Sequence, residues 1–500
     1  MSRSRVTAKS NHGDDEHWLG VSRSSRPDGW RTPTIEDPGH PANRPKNSDD
    51  TLLDQRSSAR RREDAASELD RQANMFPINT PPPTDDEKPK HLTWKQRIKH
   101  VTWAWFTLCM ATGGIASVLY SVPYQFHGLR AIGIAIFLLN IVLYLIIWAM
   151  MICRFYFFPY TFWASLTHPT ESLFVPAFAV AFGTILINIV EYGFNRTGLW
   201  LNHAVVVLYW IDAAVAFILS IGIYLILWSS QSFTIARMTP IWIFPAYPLL
   251  IIGPHAAKLS AQLPNARQAT QIIIGGFTIQ GIGFLVSLTI YSAFVYRLMT
   301  QKLPAEALRP GMFVSVGPSA FTVSGVLGMA NNLHHIIART PDSTFLDVPG
   351  LLAAQILRLV ASWMCLWLWG LAWWFFFVSL LSNIDCLRAK HRTQFAMTWY
   401  SFIFPQTALT SATFSIAKAF DVAAIRVIGC VMACLLILVW FFVVGCMIKA
   451  IYEKQVLWPE KGEDKSEGGF KARDEVKSFL PTTRPTQEEK DEAIDMLDRP

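Results

Sequence analysis

The chain has 500 residues, 51% of them hydrophobic and 16% charged, and the charged residues gather towards its two ends. Between the ends runs a series of apolar segments near the ~20-residue length that crosses about 30 Å of hydrocarbon, which excludes a soluble globular domain and reads as a polytopic membrane protein. The formal charge of +7 does not point to nucleic acid, because the basic residues sit in tails and short loops and form no stripe interleaved with aromatics.

Residues 1–94 are rich in Ser, Arg, Asp and Pro and include the tract TPPPTDDEKPK, the composition of a disordered tail. Arg60, Arg61 and Arg62 read as a solvated charge run ahead of an address or a lipid contact. The N-terminus has basic residues without an apolar core after them, so the first apolar segment is expected to act as the insertion signal. Residues 95–455 form the membrane domain. Residues 456–500 are a second polar tail, with at most a short surface helix in TQEEKDEAIDMLDR. The seven cysteines lie in or beside spans at no metal-binding spacing and are expected as free thiols.

Ten spans are expected: Thr102 to Ser121, Leu129 to Cys153, Leu173 to Val190, Leu201 to Trp228, Pro240 to Ala257, Thr270 to Tyr296, Met312 to Ala338, Leu351 to Leu381, Phe395 to Ala417 and Val422 to Ala450. An even count puts both tails on one side. Lys95, Arg97, Lys99, Arg154, Arg237, Arg297, Lys302, Arg309, Arg388, Lys390, Arg392, Lys449 and Lys454 lie on that side. Arg130, Arg196, Lys258, Arg267, Arg339, Lys418 and Arg426 lie on the other, so the bias places both termini in the cytosol. The sequon at Asn195 then falls outside, close to the membrane.

Breakers alternate along the chain. Prolines interrupt the third span (Pro176), the fifth (Pro245, Pro248, Pro254), the seventh (Pro318) and the ninth (Pro405), the first carries Gly113-Gly114, and the even spans have no proline. A proline in lipid frees a carbonyl that needs another partner, so broken helices belong inside protein or against water. Five odd helices inside and five even ones outside is the economical arrangement.

Small or polar stripes follow the same parity: Thr107, Ala111, Gly114 and Ser117 in the first span, Ala177, Ala181, Thr184 and Asn188 in the third, Ser315, Ser319 and Thr322 in the seventh, and Ser401, Phe404, Ala408, Ser411 and Ser415 in the ninth. Close helix packing is the competing reading of any single stripe. The alternation across all ten spans favours a pore, with Phe404, before Pro405, as an obstruction in it.

Charges inside spans are costly. Arg358 and Asp212 read first as interhelical pairs, and Arg358 second as a carboxylate contact. His255, Lys258, His334, His335 and Lys418 fall near the outer ends of odd spans, where they would form an electropositive vestibule; the histidines and Glu191 are candidates for proton coupling. Adjacent His334 and His335 point in different directions on a helix, so no metal site is expected. No phosphate loop, nucleophile elbow or zinc-protease pattern occurs, and neither enzyme activity nor a cofactor is expected.

The segments TWAWFTLCMATGGIA, MTPIWIFPAYPLLIIGP, VGPSAFTVSGVLGMA and WYSFIFP, in that order, resemble the tellurite-resistance/dicarboxylate transporter family, which includes the slow anion channels of plant guard cells. MATGG with PYQFHGLRAIG and LYWIDAA is most similar to the fungal malic acid permeases, with the sulfite efflux pumps as the rival branch. The resemblance implies an all-α fold of five helical hairpins in pseudo-fivefold arrangement around a pore of kinked odd helices, often three protomers in a trimer, and a phenylalanine of the ninth helix, here Phe404, closing the pore. It also implies a plasma-membrane carrier of small carboxylate anions, malate and related C4 dicarboxylates, with protons; sulfite through the same pore is the alternative. Lining candidates are Thr107, Gly113, Gly114, Thr184, Asn188, Pro245, Ser319, Ser401, Pro405 and Ser411, which would offer hydroxyls and exposed backbone without a fully charged trap.

Overall fold

The computed structural model describes residues 93–194, 197–230, 235, 238–339, 344–345, 347–384 and 395–457. Residues 1–92 and 458–500 of the tails, Asn195 of the sequon, and Arg196, Arg237, Arg388, Lys390 and Arg392 lie outside the described residues. Among the described residues ten long helices are present: α1 (Phe106–Ser121), α2 (Leu129–Phe157), α3 (Ala177–Gly193), α4 (Leu199–Ser230), α5 (Tyr247–Gln262), α6 (Ala266–Gln301), α7 (Gly317–Ile337), α8 (Gly350–Ile384), α9 (Phe404–Phe420) and α10 (Ala423–Tyr452). Short helices at Trp94–Ile98 and Tyr160–Thr167, and a two-residue antiparallel pairing of Thr344–Phe345 with Val348–Pro349, are additions that the apolar pattern did not announce.

The odd helices close a ring in which α1 packs on α3, α3 on α5, α5 on α7, α7 on α9, and α9 back on α1. Each even helix packs against the odd helix before it, giving five hairpins. The parity expected from the breakers is visible in burial. The most apolar stretches of the first four odd spans are 83% to 94% buried, whereas those of the even spans are 17% to 39% buried. The protein is thus an all-α polytopic membrane protein with an inner ring and an outer, lipid-compatible layer.

Every inner helix is short and preceded by a separate turn: Trp103–Trp105, Glu171–Phe174, Pro240–Ala246, Glu306–Val316 and Met397–Phe402. A 16-residue helix such as α1 rises only about 24 Å, so helix and turn together make the span. Among the described residues nine stretches are long and apolar enough to cross a membrane. The expected ninth span is not one of them, because the break at Ile403 leaves α9 with 17 residues.

The breaks have identifiable causes. Pro318 offers no N–H to the carbonyls of Val314 and Ser315, and the hydroxyls of Tyr247 and Tyr291 donate to those two oxygens instead. Pro245 likewise leaves the Trp242 carbonyl, three residues back in a 3₁₀ turn, to the Tyr224 hydroxyl at 2.9 Å. Tyr291 and Tyr224 stand on the even helices α6 and α4, so the outer layer repairs the inner one. Threonines assist locally: Thr107 donates to Ala104 O at 2.6 Å, Thr322 to Pro318 O at 2.7 Å, and Thr407 to Phe404 O at 2.6 Å.

Two expectations change here. Gly113-Gly114 is not the breaker of the first span, since α1 runs straight through it and the break lies at Trp103–Trp105. The pair serves close packing instead. A Cβ on Gly113 would stand 2.5 Å from Thr184 Oγ1 of α3, and one on Gly114 2.5 Å from Thr407 Oγ1 of α9. Arg154, counted among the loop charges, is fully buried; it pairs with buried Glu171 at 2.7 Å and also donates to Val101 O.

Candidate functional site

The ring encloses a cavity of about 640 Å³ between the C-terminal halves of the five odd helices. Helical spacing on α7 brings Phe321, Ser324, Gly328 and Asn331 to its wall, and on α9 Phe404, Thr407, Ala408, Ser411, Ser415 and Lys418. On α5 the sequence from Ile251 through Pro254 and Lys258 to Gln262 faces it, with Gly113, Gly114 and Ser117 of α1 and Thr184, Ile187, Val190 and Glu191 of α3. The cavity reaches the loops at Pro123 and Asp421 and the first turn of α10 at Arg426.

Aromatic rings gather at its inner end. Phe404 stands 5.2 Å from Phe321 and 6.0 Å from Tyr247, centroid to centroid, and Tyr247 stacks on Phe244 at 5.1 Å. Phe404 is 3% exposed and Phe321 6%, so both rings are closely packed where they meet. The break at Ile403 puts Phe404 on the first turn of α9, with Pro405 at a helix position where the missing N–H costs nothing.

Charge is confined to the wall and mouth. Lys258 Nζ lies 2.7 Å from Glu191 Oε1, donates to Ser121 Oγ at 3.2 Å, and sits 5.5 Å above the Tyr120 ring. Ser117 Oγ donates to the same Glu191 oxygen at 3.1 Å. Arg426 pairs with Asp421 at the mouth. With Lys418, three cations face two carboxylates, an excess of one positive charge on a wall otherwise made of hydroxyls, amides and apolar groups.

The sequence-derived residues divide between wall and packing. Gly113, Gly114, Thr184, Ser411, Phe404, Glu191, Lys258 and Lys418 meet in the cavity. Thr107, Asn188, Pro245, Ser319, Ser401 and Pro405 are not on its wall. Asn188 Nδ2 donates to Gly113 O at 2.9 Å and Thr184 O at 2.8 Å, knitting α3 to α1. Thr107 is turned to the backbone of its own break, Pro245 and Ser319 are buried in the turn before α5 and at the start of α7, and Ser401 belongs to the 3₁₀ turn before Ile403, out of phase with α9.

The remaining charged candidates lie elsewhere. Asp212 and His255 are both buried, 3.8 Å apart, joining α4 to α5 with the Tyr209 ring against the imidazole. Arg358 is exposed on α8, away from the cavity. His334 packs against the His335 ring at the end of α7, beside a small hollow bordered by His335 and Arg339. Among the described residues no group of three His, Cys, Asp or Glu stands close enough to hold a metal ion.

Sequence reasoning missed Ser324, Gly328, Asn331 and Asn332, the true lumen face of α7, because the more hydroxyl-rich face at Ser315, Ser319 and Thr322 drew attention. The available signal was Phe321, a large ring one turn into α7 on the same helical face as Ser324, Gly328 and Asn331.

Comparison with known proteins agrees with this architecture. Residues 100–448 match the model of the voltage-dependent anion channel family (SLAC1). The malic acid transport protein of Schizosaccharomyces pombe is 31% identical over 377 residues, covering 75% of this chain and 84% of that protein. A sulfite efflux pump of Trichophyton rubrum is 25% identical over 342 residues, 68% of this chain and 88% of the pump. An uncharacterized transporter of Methanocaldococcus jannaschii is 23% identical over 362 residues, 72% and 97% of the two chains. With the family match spanning the whole ring of helices, the chain belongs to the voltage-dependent anion channel family and is an anion transporter.

Proposed function

We propose that the protein carries small carboxylate anions, malate and related C4 dicarboxylates, across the plasma membrane together with protons, along the axis of the inner ring, with both termini cytosolic and Phe404 as the gate. The observation that carries this reading is the cavity whose wall includes both cationic Lys258 and Lys418 and the paired rings of Phe404 and Phe321. Its volume of about 640 Å³ lies within the range of roughly 300–1,000 Å³ usual for small-molecule sites. Scattered hydroxyls and one surplus positive charge favour entry of an anion without holding it in a deep trap.

In the proposed orientation the odd helices run outward, so the cavity faces the exterior and the ring plug separates it from the cytosol. An anion entering would lose water to Ser411, Ser415, Ser324 and Asn331 while the cations offset its charge. Passage requires the Phe404 ring to turn away from Phe321. The 31% identity to a malic acid transport protein, against 25% to a sulfite efflux pump, favours a carboxylate. Uptake of labelled malate into proteoliposomes under an inward proton gradient, with sulfite as competitor, tests the assignment; sulfite movement without malate uptake would overturn it.

A further inference from the structure

One charged contact on the cavity wall is internal. Lys258, whose side chain is 36% exposed, spends its charge on Glu191, which is 1% exposed and held by Ser117. Only Oε1 of that carboxylate is used; Oε2 is buried with no hydrogen-bond partner. A second carboxylate entering the cavity would meet a lysine already engaged by the same chemical group, and a half-satisfied carboxylate is where a proton can be added.

We propose that the Glu191–Lys258 pair exchanges its internal carboxylate for that of the substrate, with a proton taken up on Glu191 as the anion binds to Lys258. This rests on the carboxylate-transport reading above and gives it its coupling residues. The charge balance closes: the Glu191 carboxylate gains one proton at Oε2 and becomes neutral, Lys258 keeps its charge, and the substrate carboxylate replaces the one neutralised. Ser117 and Ser121 hold the two partners within reach throughout, so the exchange needs no helix movement. One proton then enters the site with each anion bound.

The surroundings leave Glu191 as the group placed for this role. From α1 it meets Ser117 and, across Lys258, the Tyr120 ring. From α5 it meets Lys258, while His255 lies one turn deeper and is turned to Asp212 of α4. His203 of α4 and Arg130 of α2 are exposed on their helices. Lys418 of α9, and the Asp421–Arg426 pair beyond it, border the cavity too. The Asp212–His255 pair is buried, and neither residue is on the wall of this cavity.

The test is anion binding to the full-length protein in detergent at pH 5.5 to 8, with a pH-indicator dye reporting protons taken up. Malate should bind the wild type more tightly as pH falls, with uptake of one proton per malate near neutral pH. Glu191→Gln, a permanent mimic of the protonated acid, should bind malate with the same affinity at every pH, about tenfold tighter than wild type at the alkaline end, and take up no proton. Lys258→Gln should lose malate binding and proton uptake together. Proton uptake by Glu191→Gln equal to wild type, or undiminished binding by Lys258→Gln, would overturn the exchange. If sulfite replaces malate as the bound anion and its proton uptake vanishes in Glu191→Gln, the exchange stands and the carboxylate assignment falls.

Discussion

Phe404 concentrates the functional argument in one side chain. Its ring is held by contact with Phe321 and Tyr247 and by no hydrogen bond, so it is fixed by packing alone and can swing if its neighbours yield. Phe404→Ala should raise anion flux by about tenfold, the change that ~1.4 kcal/mol off a barrier gives, with Phe321→Ala raising it less because Phe404 still obstructs. Flux in proteoliposomes at matched protein density checks both. At the same scale, Arg154→Met would remove the guanidinium that pairs with buried Glu171 and should destabilise the protein by about 3–5 kcal/mol; the double change Arg154→Met, Glu171→Leu should recover most of that loss. Thermal unfolding in detergent reads the difference, and equal losses in the single and double variants would show that the ion pair is not the cause.

The helices illustrate what a sequence displays and what it hides. Alternating prolines disclosed which spans face inward, because an unpartnered carbonyl cannot be left in lipid. The partners of those carbonyls were not legible: Tyr224 and Tyr291 sit in apolar even spans as ordinary aromatic residues until the fold brings them to Trp242 and Ser315. Tyr224→Phe should therefore cost about 0.5–1.5 kcal/mol, the net worth of a typical hydrogen bond, although it removes a single oxygen. The glycine pair was legible as unusual but was assigned the wrong cause, since bending and close approach both call for glycine. Close approach makes its own prediction. Gly114→Ala should push α1 from α9 and lower stability, and Thr407→Ala in the same chain, which removes the atom 2.5 Å from the added Cβ, should restore it. The phase of α7 escaped because two of its faces carry small polar residues, and only the ring around it shows which one meets the cavity.

At the scale of the molecule, five hairpins place the broken helices around one axis and leave the apolar faces of the even helices outward. Substrate identity has a different status from the architecture, since hydroxyls, amides and lysines recognise sulfite and malate by the same chemistry. A topological consequence can be checked independently of substrate. Ser411→Cys, on the cavity wall, should react with a polar thiol reagent added from the exterior, whereas Ser401→Cys, in the turn beyond the plug, should not.

The central claim is a proton-linked carboxylate path closed by Phe404. Its most direct measurement is labelled-malate flux into proteoliposomes holding wild type or Phe404→Ala, with and without an inward proton gradient. The account predicts gradient-stimulated uptake by the wild type and faster uptake by the variant. Equal flux through both proteins, or malate uptake indifferent to the gradient, would contradict it.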